Sequence, residues 1–378
     1  MQNCPLGYYA SYIIGAEWTK DYSHSFVVTP KKGAENIDFV SMFYYCFSSG
    51  LDSKAFSKIY TINIGAPPIK VNGTSFPIGL LTIVHFLSVV NRIRCLKSGY
   101  KTKTDNLRKI RGHVDILKND KVNISQHKYD YIYCHFNEYD VDIPENRIIK
   151  KALMFAQKYL KQTHFSGGNL DKIKTLFAKC NTKFINVSPN VKVDQIKETR
   201  YHKLFKDYGE ALRLAKMILK QYDYNIKKVS NDNDSVIPFT IDMSLLYEHY
   251  VYGLLNEAYK GRVKYQFKSE TGYPDFLYYS SNYKAILDTK YIPRFEEDKI
   301  DKYIIRQLSG YGRDKLILNE LGFKDFKKAP TIPCIILYPS EKSGTSNPFK
   351  SDLELIEKVE VDGIIEFYKI AVPVPIIQ

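Results

Sequence analysis

Two segments decide how this 378-residue chain is expected to fold: Tyr273-Pro274-Asp275-Phe276 and, after a short turn, Lys284-Ala285-Ile286-Leu287-Asp288-Thr289-Lys290-Tyr291. Both have the apolar pattern of short strands, and each carries a carboxylate. Because residues two apart on a strand project to the same face, Asp288 and Lys290 are predicted to lie together while Thr289 points away. A return of the chain that places Asp275 beside them would join two acidic groups and one ammonium group. This combination predicts a site for a hard divalent cation next to a phosphate-binding positive charge.

Glu248 adds a third carboxylate upstream. It lies on a predicted helix, residues 244–258, near an apolar stripe, where a carboxylate is costly to bury without a partner. Two interpretations stay open: a ligand of a metal or of metal-bound water, and a charge at the helix edge. The order of Glu, Pro-Asp and Asp-x-Lys on helix, strand and strand, with 13 positions from Asp275 to Asp288, favours one joint site over an ordinary salt-bridged sheet edge.

The following helix, predicted for residues 301–321, contributes candidate substrate contacts. Gln307 and Tyr311 lie four apart and therefore on one helix face. Gln307 either reaches a water or the scissile phosphate from this face or points to solvent. Arg306 and Arg313 are candidate contacts to a DNA backbone, with plain surface charge as the alternative.

The composition points to a polyanionic partner. The formal net charge is +14, which fits nucleic acid most simply, although the abundance of Lys, Ile, Asn and Tyr also matches an AT-rich genome. No G-x-x-x-x-G-K-[ST] motif occurs, so the chain alone is expected to bind no nucleotide. Six cysteines without a CxxC pair, no export signal and no apolar run of membrane length predict a cytoplasmic protein without membrane contact.

The hydrophobic pattern predicts a multidomain α+β / α/β protein. Residues 1–140 are predicted to form a β-rich domain of mixed short strands and one or two helices, one of them a buried helix over 78–90. Residues 141–235 carry helical apolar stripes and are predicted to form a helical connector. Residues 236–378 are predicted to form a compact α/β domain. A basic segment, residues 97–113, is either a solvated loop or an arm that binds phosphate or a partner.

The candidate site residues resemble the signature of PD-(D/E)xK nucleases, namely Glu248, Pro274-Asp275, Asp288-Thr289-Lys290 and Gln307. The wider sequence resembles the McrC family, the endonuclease subunit of the McrBC modification-dependent restriction system. The segments that carry this second resemblance are Phe239–Val251, Asn106-Leu107 with Arg111-Gly112, Cys134, Glu138 with Asp140 before Asn146-Arg147, and the helix over 200–219. The likeness covers most of the chain and is weakest before Ser25.

The resemblance implies a PD-(D/E)xK restriction-endonuclease-like domain over 236–378 and a Mg²⁺-dependent site in which Mn²⁺ can substitute. The implied metal ligands are Asp275, Asp288, the carbonyl oxygen of Thr289 and, through water, Glu248. Lys290 would position the attacking water and offset charge on the phosphate, and Gln307 completes the catalytic set. The chain departs from the family pattern at Ile304, three positions before the glutamine, where an acidic residue is usual. Substitutes for that acidic residue are Asp301 and Asp298.

The resemblance also implies a partner and a substrate. McrC proteins work with McrB, an AAA+ GTPase ring that recognises methylated cytosine in double-stranded DNA. The N-terminal region would dock on this ring, and the residues expected to contact it are Lys101, Lys103, Arg108 and Arg111. Two copies would combine for double-strand cleavage in a bacterial or archaeal cytoplasm. Two alternatives stay open: a site-specific restriction subunit of the related LlaJI type, and a non-cleaving DNA-binding scaffold that activates an NTPase.

Overall fold

A computed structural model describes residues 2–4, 7–9, 12–30, 37–48, 58–63, 65–71, 78–162, 170–192, 205–228, 235–291, 300–340 and 347–376. The chain divides into two compact units, one formed by Met1–Ser88, His164–Ile173 and Tyr224–Gln378 and the other by Val89–Thr163 and Lys174–Asp223. Helices and several sheets occur among the described residues, which confirms the mixed α/β character of the fold. Both units are discontinuous in sequence, whereas the predicted domains 1–140, 141–235 and 236–378 are continuous. That three-domain division stays a prediction.

The described elements alternate between helices and short strands along the chain. The α-helices are α1 (Phe39–Ser48), α2 (Ile78–Arg92), α3 (Ile116–Val122), α4 (Pro144–Gln162), α5 (Leu170–Lys183), α6 (Lys206–Lys228), α7 (Met243–Ala258), α8 (Lys302–Tyr311) and α9 (Lys315–Glu320). The first strands are β1 (Gln2–Cys4), β2 (Gly7–Tyr9), β3 (Ile13–Trp18), β4 (Ser25–Val28), β5 (Tyr60–Ile62), β6 (Ile69–Lys70), β7 (Gly99–Leu107), β8 (His113–Val114) and β9 (Ile132–Asp140). The remaining strands are β10 (Ser235–Val236), β11 (Phe239–Asp242), β12 (Val263–Tyr265), β13 (Phe276–Tyr279), β14 (Lys284–Thr289), β15 (Cys334–Ser340), β16 (Val359–Glu360) and β17 (Phe367–Pro373). The predicted buried helix is confirmed as α2, and no helix within the described ranges is long and apolar enough to cross a membrane.

The two candidate aspartates lie at one end of a six-stranded sheet with the strand order β12-β13-β14-β15-β17-β16. The pairs β12–β13 and β13–β14 are antiparallel, β14–β15 and β15–β17 are parallel, and β16 pairs antiparallel with β17. The pairing of β13 with β14 confirms the two predicted short strands and the return of the chain between them. Helix α7 packs against β12 and β14, and α8 packs against β14.

The apolar run Ala285–Leu287 lies inside this sheet and is fully buried. A strand that is hydrogen-bonded on both sides and covered on both faces is apolar at successive positions, because the side chains of each face pack against a hydrophobic layer. Ile286 shares a hydrophobic cluster with Leu308 of α8. Phe276, on the neighbouring strand, stacks on Tyr252 of α7 with ring centroids 5.9 Å apart. Both layers therefore fix the strands that carry the candidate site.

The helix that carries Glu248 begins at the end of a second, antiparallel sheet with the order β4-β3-β11-β5. β11 ends at Asp242, whose carboxylate accepts hydrogen bonds from the N–H groups of Ser244 and Leu245 at 3.0 and 3.2 Å. An N-cap carboxylate starts a helix because it satisfies N–H groups that have no partner within the helix. The sheet and this cap together set where α7 begins.

The prediction of one continuous helix over residues 301–321 is wrong, because the structure has two helices in this range, α8 and α9. Asp314 caps α9 by accepting hydrogen bonds from the N–H groups of Leu316 and Ile317 at 2.8 and 3.4 Å. The same carboxylate accepts bonds from Thr271 at 2.8 and 2.9 Å. Asp314 therefore starts a new helix and fastens the loop that leads into Pro274-Asp275.

The second unit contains a three-stranded antiparallel sheet with the order β7-β9-β8. Its longest pairing runs from Gly99 opposite Asp140 to Leu107 opposite Ile132. The prediction of a loop over residues 97–113 is therefore wrong for β7, a strand of alternating Lys and Thr without the apolar face on which strand prediction relies. β8 has only two residues because the next residue, Asp115, caps α3 and accepts a hydrogen bond from the N–H of Lys118 at 3.0 Å.

Gly253 lets α7 approach the backbone of α1. A Cβ at this position would collide with the carbonyl oxygen of Tyr45. Gly253→Ala is therefore expected to lower the free energy of unfolding by about 1–3 kcal/mol, the usual cost of overpacking. Denaturant titration followed by circular dichroism measures this loss. Gly310→Ala in α8 is the matched control: a Cβ there meets open space, and alanine favours helices over glycine. Equal stability of the two variants would contradict the close approach.

Candidate active site

β13 and β14 bring Asp275 and Asp288 together. Their register pairs Phe276 with Leu287, so the next position sets Asp275 opposite Asp288. Oδ2 of Asp275 accepts hydrogen bonds from the backbone N–H and the hydroxyl of Thr289, at 2.6 and 2.5 Å. These bonds continue the strand pairing past the last ladder pair and hold one carboxylate beside the other.

Asp288 is buried, with 2% of its surface exposed. Its Oδ2 forms an ion pair with Nζ of Lys290 and receives no further hydrogen bond within the described residues. The backbone N–H of Lys290 donates to the carbonyl of Leu337 at 3.0 Å, which anchors this position on β15. The structure thus brings Asp288 and Lys290 together, as their spacing predicts.

Glu248 meets this site from α7. Its Oε1 accepts two hydrogen bonds, from the hydroxyl of Tyr265 and from Nε2 of Gln266, both at 2.9 Å. The backbone N–H of Gln266 also donates to the carbonyl of Asp275 at 2.8 Å. The end of β12 therefore connects Glu248 with the strand that carries Asp275.

The three carboxylates affect one another's pKa. Burial raises the pKa of Asp275 well above its ordinary value, and the charges of Asp288 and Glu248 raise it further, against the hydrogen bonds from Thr289. Burial also raises the pKa of Glu248, with an added effect of Asp288. The pKa of Asp288 is raised by burial, although Lys290 opposes the shift. Because burial and like charges both penalise ionised carboxylates, this cluster favours a bound positive charge.

Lys290 stays positively charged in this environment. Burial acts to lower its pKa, but the ion pair with Asp288 and the charge of Asp275 raise the pKa above its ordinary value. Lysine ordinarily titrates near pH 10.4. The side chain is therefore an ammonium ion at neutral pH.

Gln307 reaches the site through Tyr311. Its Nε2 donates to the Tyr311 hydroxyl at 2.9 Å, and burial followed by the charges of Asp288 and Asp275 raises the pKa of Tyr311. Gly272 makes room for this ring: its φ is +139°, and a Cβ there would lie 3.1 Å from the hydroxyl oxygen. Among the described residues, Gln307 is hydrogen-bonded to Tyr311, a neighbour of the carboxylates, and not to the carboxylates themselves.

The other predicted residues of this region occupy different positions. Arg306 and Arg313 are exposed, on α8 and just after it. Asp301 caps α8 by accepting from the N–H of Tyr303 at 2.9 Å, and Asp298 lies outside the described residues. Ile304 is buried in the cluster between the sheet and α8, which explains an apolar residue where the family usually has an acid.

The donor set suits a hard cation such as Mg²⁺. Asp275 and Asp288 offer carboxylate oxygens, Thr289 offers a backbone carbonyl, and oxygen is the ligand that Mg²⁺ prefers. Across the part of the chain that the structure describes, no group of three or more His, Cys, Asp and Glu side chains is arranged so that it could hold a metal ion. Mg²⁺ commonly keeps several waters beside one or two carboxylates. The buried Oδ2 of Asp288 and the repulsion between carboxylates fit such an ion.

Sequence reasoning missed several residues of this site. It identified neither Tyr265 nor Gln266 as a neighbour of Glu248, and it predicted that the Thr289 side chain points away, whereas its hydroxyl binds Asp275. Gly272, just before Tyr-Pro-Asp, carries a usable signal because glycine marks positions of positive φ. No periodic pattern marks Gln266.

Asp275→Asn is expected to stabilise the metal-free protein at alkaline pH. A carboxylic acid whose folded-state pKa is raised stabilises the fold below its unfolded pKa, and this stability is lost as the pH rises through the folded pKa. The amide removes the charge but keeps an oxygen acceptor for Thr289. In EDTA, the melting temperature of the variant should exceed that of the wild type at pH 8, and the gap should shrink toward pH 4. A gain of about 3 °C corresponds to roughly 2.4 kcal/mol at this chain size. A lower melting temperature of the variant at pH 8 would contradict the repulsion.

Comparisons with known proteins agree with the resemblance read from the sequence. A family model described as McrBC 5-methylcytosine restriction system component matches residues 66–311, a range that contains every candidate catalytic residue. A search of curated proteins gives no match. One similar solved structure is a refined half-complex from a tetradecameric assembly of Thermococcus gammatolerans McrB AAA+ hexamers with bound McrC. It is 13% identical with a TM-score of 0.39, over 96% of this chain and 77% of that chain.

A second similar structure is the cryo-EM structure of the Thermococcus gammatolerans McrBC complex, 14% identical with a TM-score of 0.33, over 65% of this chain and 65% of that chain. The family match itself spans well over half of the sequence. The chain therefore belongs to the McrBC family of 5-methylcytosine restriction system components.

Proposed function

We propose that this chain is the endonuclease subunit of a McrBC-type restriction system. It would be a Mg²⁺-dependent PD-(D/E)xK enzyme of the McrC kind that hydrolyses phosphodiester bonds in double-stranded DNA containing methylcytosine, together with an AAA+ GTPase of the McrB kind. The observation that carries the proposal is the meeting of Asp275, Asp288 and Lys290 at the end of two paired strands, with Glu248 beside them. Family membership supports the restriction system, and this cluster supports cleavage by this subunit.

The chain's own residues have distinct tasks in this proposal. Asp275, Asp288 and the carbonyl of Thr289 would hold Mg²⁺, with Glu248 binding it through water. When bound, the ion supplies an activated water and stabilises charge on the phosphate. The N–H and hydroxyl of Thr289 fix the orientation of Asp275, so the ligands are set before the ion binds.

Lys290 acts in this scheme through its charge. Because its pKa is raised, its ammonium group is suited to orient the attacking water and to offset charge that develops on the phosphate oxygens. Removing a proton from water would require the neutral amine, which this environment disfavours. Lys290 is therefore proposed as an electrostatic catalyst.

The helix α8 would contact the substrate. Gln307, oriented by Tyr311, would position a water or the scissile phosphate. Arg306 and Arg313 are exposed and would bind the DNA backbone, where charged donors commonly contact phosphate oxygens. Cleavage of both strands would need two such sites, so dimerisation of the subunit is part of the proposal.

Asp288→Ala should lower Mg²⁺-dependent cleavage by at least about 100-fold, the scale expected when an electrostatic element of an active site is removed. The variant should still stimulate GTP hydrolysis by the partner to the same extent as the wild-type chain does. The assay uses methylated supercoiled plasmid, the full chain and its AAA+ partner, with Mg²⁺ or with EDTA. Asp362→Ala, in the exposed turn between β16 and β17, is the matched control. Normal cleavage by Asp288→Ala would end the assignment of the site.

The partner-binding region proposed from sequence lies in the second unit, on and beside β7. Residues 101–105 of this strand are all exposed, although successive strand residues point to opposite faces. A strand whose residues are exposed on both faces is suited to contact another chain. This exposure supports a docking role for the region.

The charges of this region are partly paired within the unit. Lys103 and Arg111 both form ion pairs with Glu138, and Lys101 pairs with Asp142 at 3.6 Å. Arg108 lies over the ring of Tyr131, 5.5 Å from its centroid. The surface is therefore an ordered face of a sheet on which positive and negative charges are paired. This corrects the expectation of a solvated basic loop or arm.

Replacing Arg108 and Arg111 together by Ala should weaken stimulation of the partner's GTPase by about tenfold or more, because truncated interface arginines often cost at least 1 kcal/mol each. The measurement is the concentration of this chain needed for half-maximal stimulation. Lys158→Ala, exposed on α4 of the same unit, is the matched control. Unchanged stimulation by the double variant would remove these residues from the interface.

Two other outcomes would redirect the proposal. Cleavage of unmodified plasmid at a fixed sequence would favour a LlaJI-type restriction subunit. Stimulation of NTP hydrolysis without any metal-dependent cleavage would favour a non-cleaving scaffold. The complete set of Glu248, Asp275, Asp288 and Lys290 counts against the scaffold, since a decayed site should have lost a member.

A further inference from the structure

Gln266 has an unusual backbone for its residue type. Its φ is +44°, in the left-handed region that disfavours residues with a Cβ. The other described non-glycine residues with positive φ are Tyr22, His127 and Glu366, and none of these three is hydrogen-bonded to the carboxylate cluster. Strain of this kind persists where surrounding interactions require it and gathers at functional sites.

The strained conformation has a specific geometric result. β12 pairs with β13 up to Tyr265 opposite Phe276, and Gln266 is the next residue. In an extended strand, Tyr265 and Gln266 would point to opposite faces. Both nevertheless donate to the same oxygen, Oε1 of Glu248, at 2.9 Å each. The positive φ of Gln266 brings the two donors to one acceptor.

Gln266 also binds the segment that carries Asp275. The backbone N–H of Gln266 donates to the carbonyl of Asp275 at 2.8 Å. Its side chain is exposed, so core packing does not call for a glutamine at this position. Two hydrogen bonds distinguish Gln266: its side-chain amide donates to Glu248, and its backbone N–H donates to the carbonyl of Asp275.

We propose that Gln266 is a positioning residue of the active site, which holds Glu248 and Asp275 in one arrangement and whose strained backbone is maintained for that task. The inference rests on the proposed function. With Oε1 occupied by two donors, the carboxylate of Glu248 is fixed and its other oxygen serves the ion or its water. Hydrogen bonds that orient the ligands of a metal typically contribute about 10–100-fold to metal affinity or activity.

A pair of variants separates strain from positioning. Gln266→Ala and Gln266→Gly both remove the amide, but only Ala keeps a Cβ in the left-handed region. In EDTA, the Gly variant should melt above the Ala variant by about 1–3 °C, the reverse of the order expected in regular strands and helices. Both variants should cleave methylated plasmid at least about tenfold more slowly. Both should also need about tenfold more Mg²⁺ to reach the same rise in melting temperature as the wild type.

The outcomes distinguish this inference from the proposed function. If the wild-type chain with its partner shows no Mg²⁺-dependent cleavage, the proposed function fails. The Mg²⁺-induced melting shift then still decides the role of Gln266. An equal Mg²⁺ response in the wild type and both variants, or no response in any of them, overturns the positioning role. If the Gly variant melts at a lower temperature than the Ala variant, the inference that the backbone of residue 266 is strained is wrong.

Discussion

The mutual repulsion of three buried or half-buried carboxylates is the constraint on which the site-bearing part of this protein depends. Removed from water and close to one another, Glu248, Asp275 and Asp288 each have a raised pKa. Hydrogen bonds or an ion pair oppose this cost at every carboxylate. The donors come from β12, β14 and the residue that follows each of these strands, so the pairing of three strands, rather than one loop, keeps the acids together.

The sequence was most informative where the chain folds locally. The apolar run before Asp288, its spacing of two to Lys290 and the short return from Asp275 predict a hairpin, and the structure has that hairpin. Helix α7 follows from its own pattern and from the cap at Asp242. Predictions of this kind succeed because strand periodicity and caps act within a few residues.

Other features depend on interactions that no local pattern reports. The turn of Gln266 is a single residue in an uncommon conformation, and its reason lies on helix α7. Ile304 occupies a position where the resemblance leads to the expectation of an acid, and it is apolar because it joins the core under the sheet. β7 lacks an apolar face and therefore resembled a loop, although a long ladder with β9 orders it. The two units likewise follow long-range pairings, which continuous segments of sequence do not reveal.

One of these pairings bears on how the chain is made. β11 lies between β3 and β5, so the strand that leads into the Glu248 helix takes both of its neighbours from the first 62 residues. During synthesis, β5 leaves the ribosome long before its partner strand β11. Until β11 is made, the edge of β5 is unpaired, and unpaired strand edges can pair with other chains. A fragment that begins at residue 236 would leave β11 with both edges bare. The region that carries the candidate site therefore cannot be isolated as the last third of this chain, because the first strands complete the sheet from which the Glu248 helix begins.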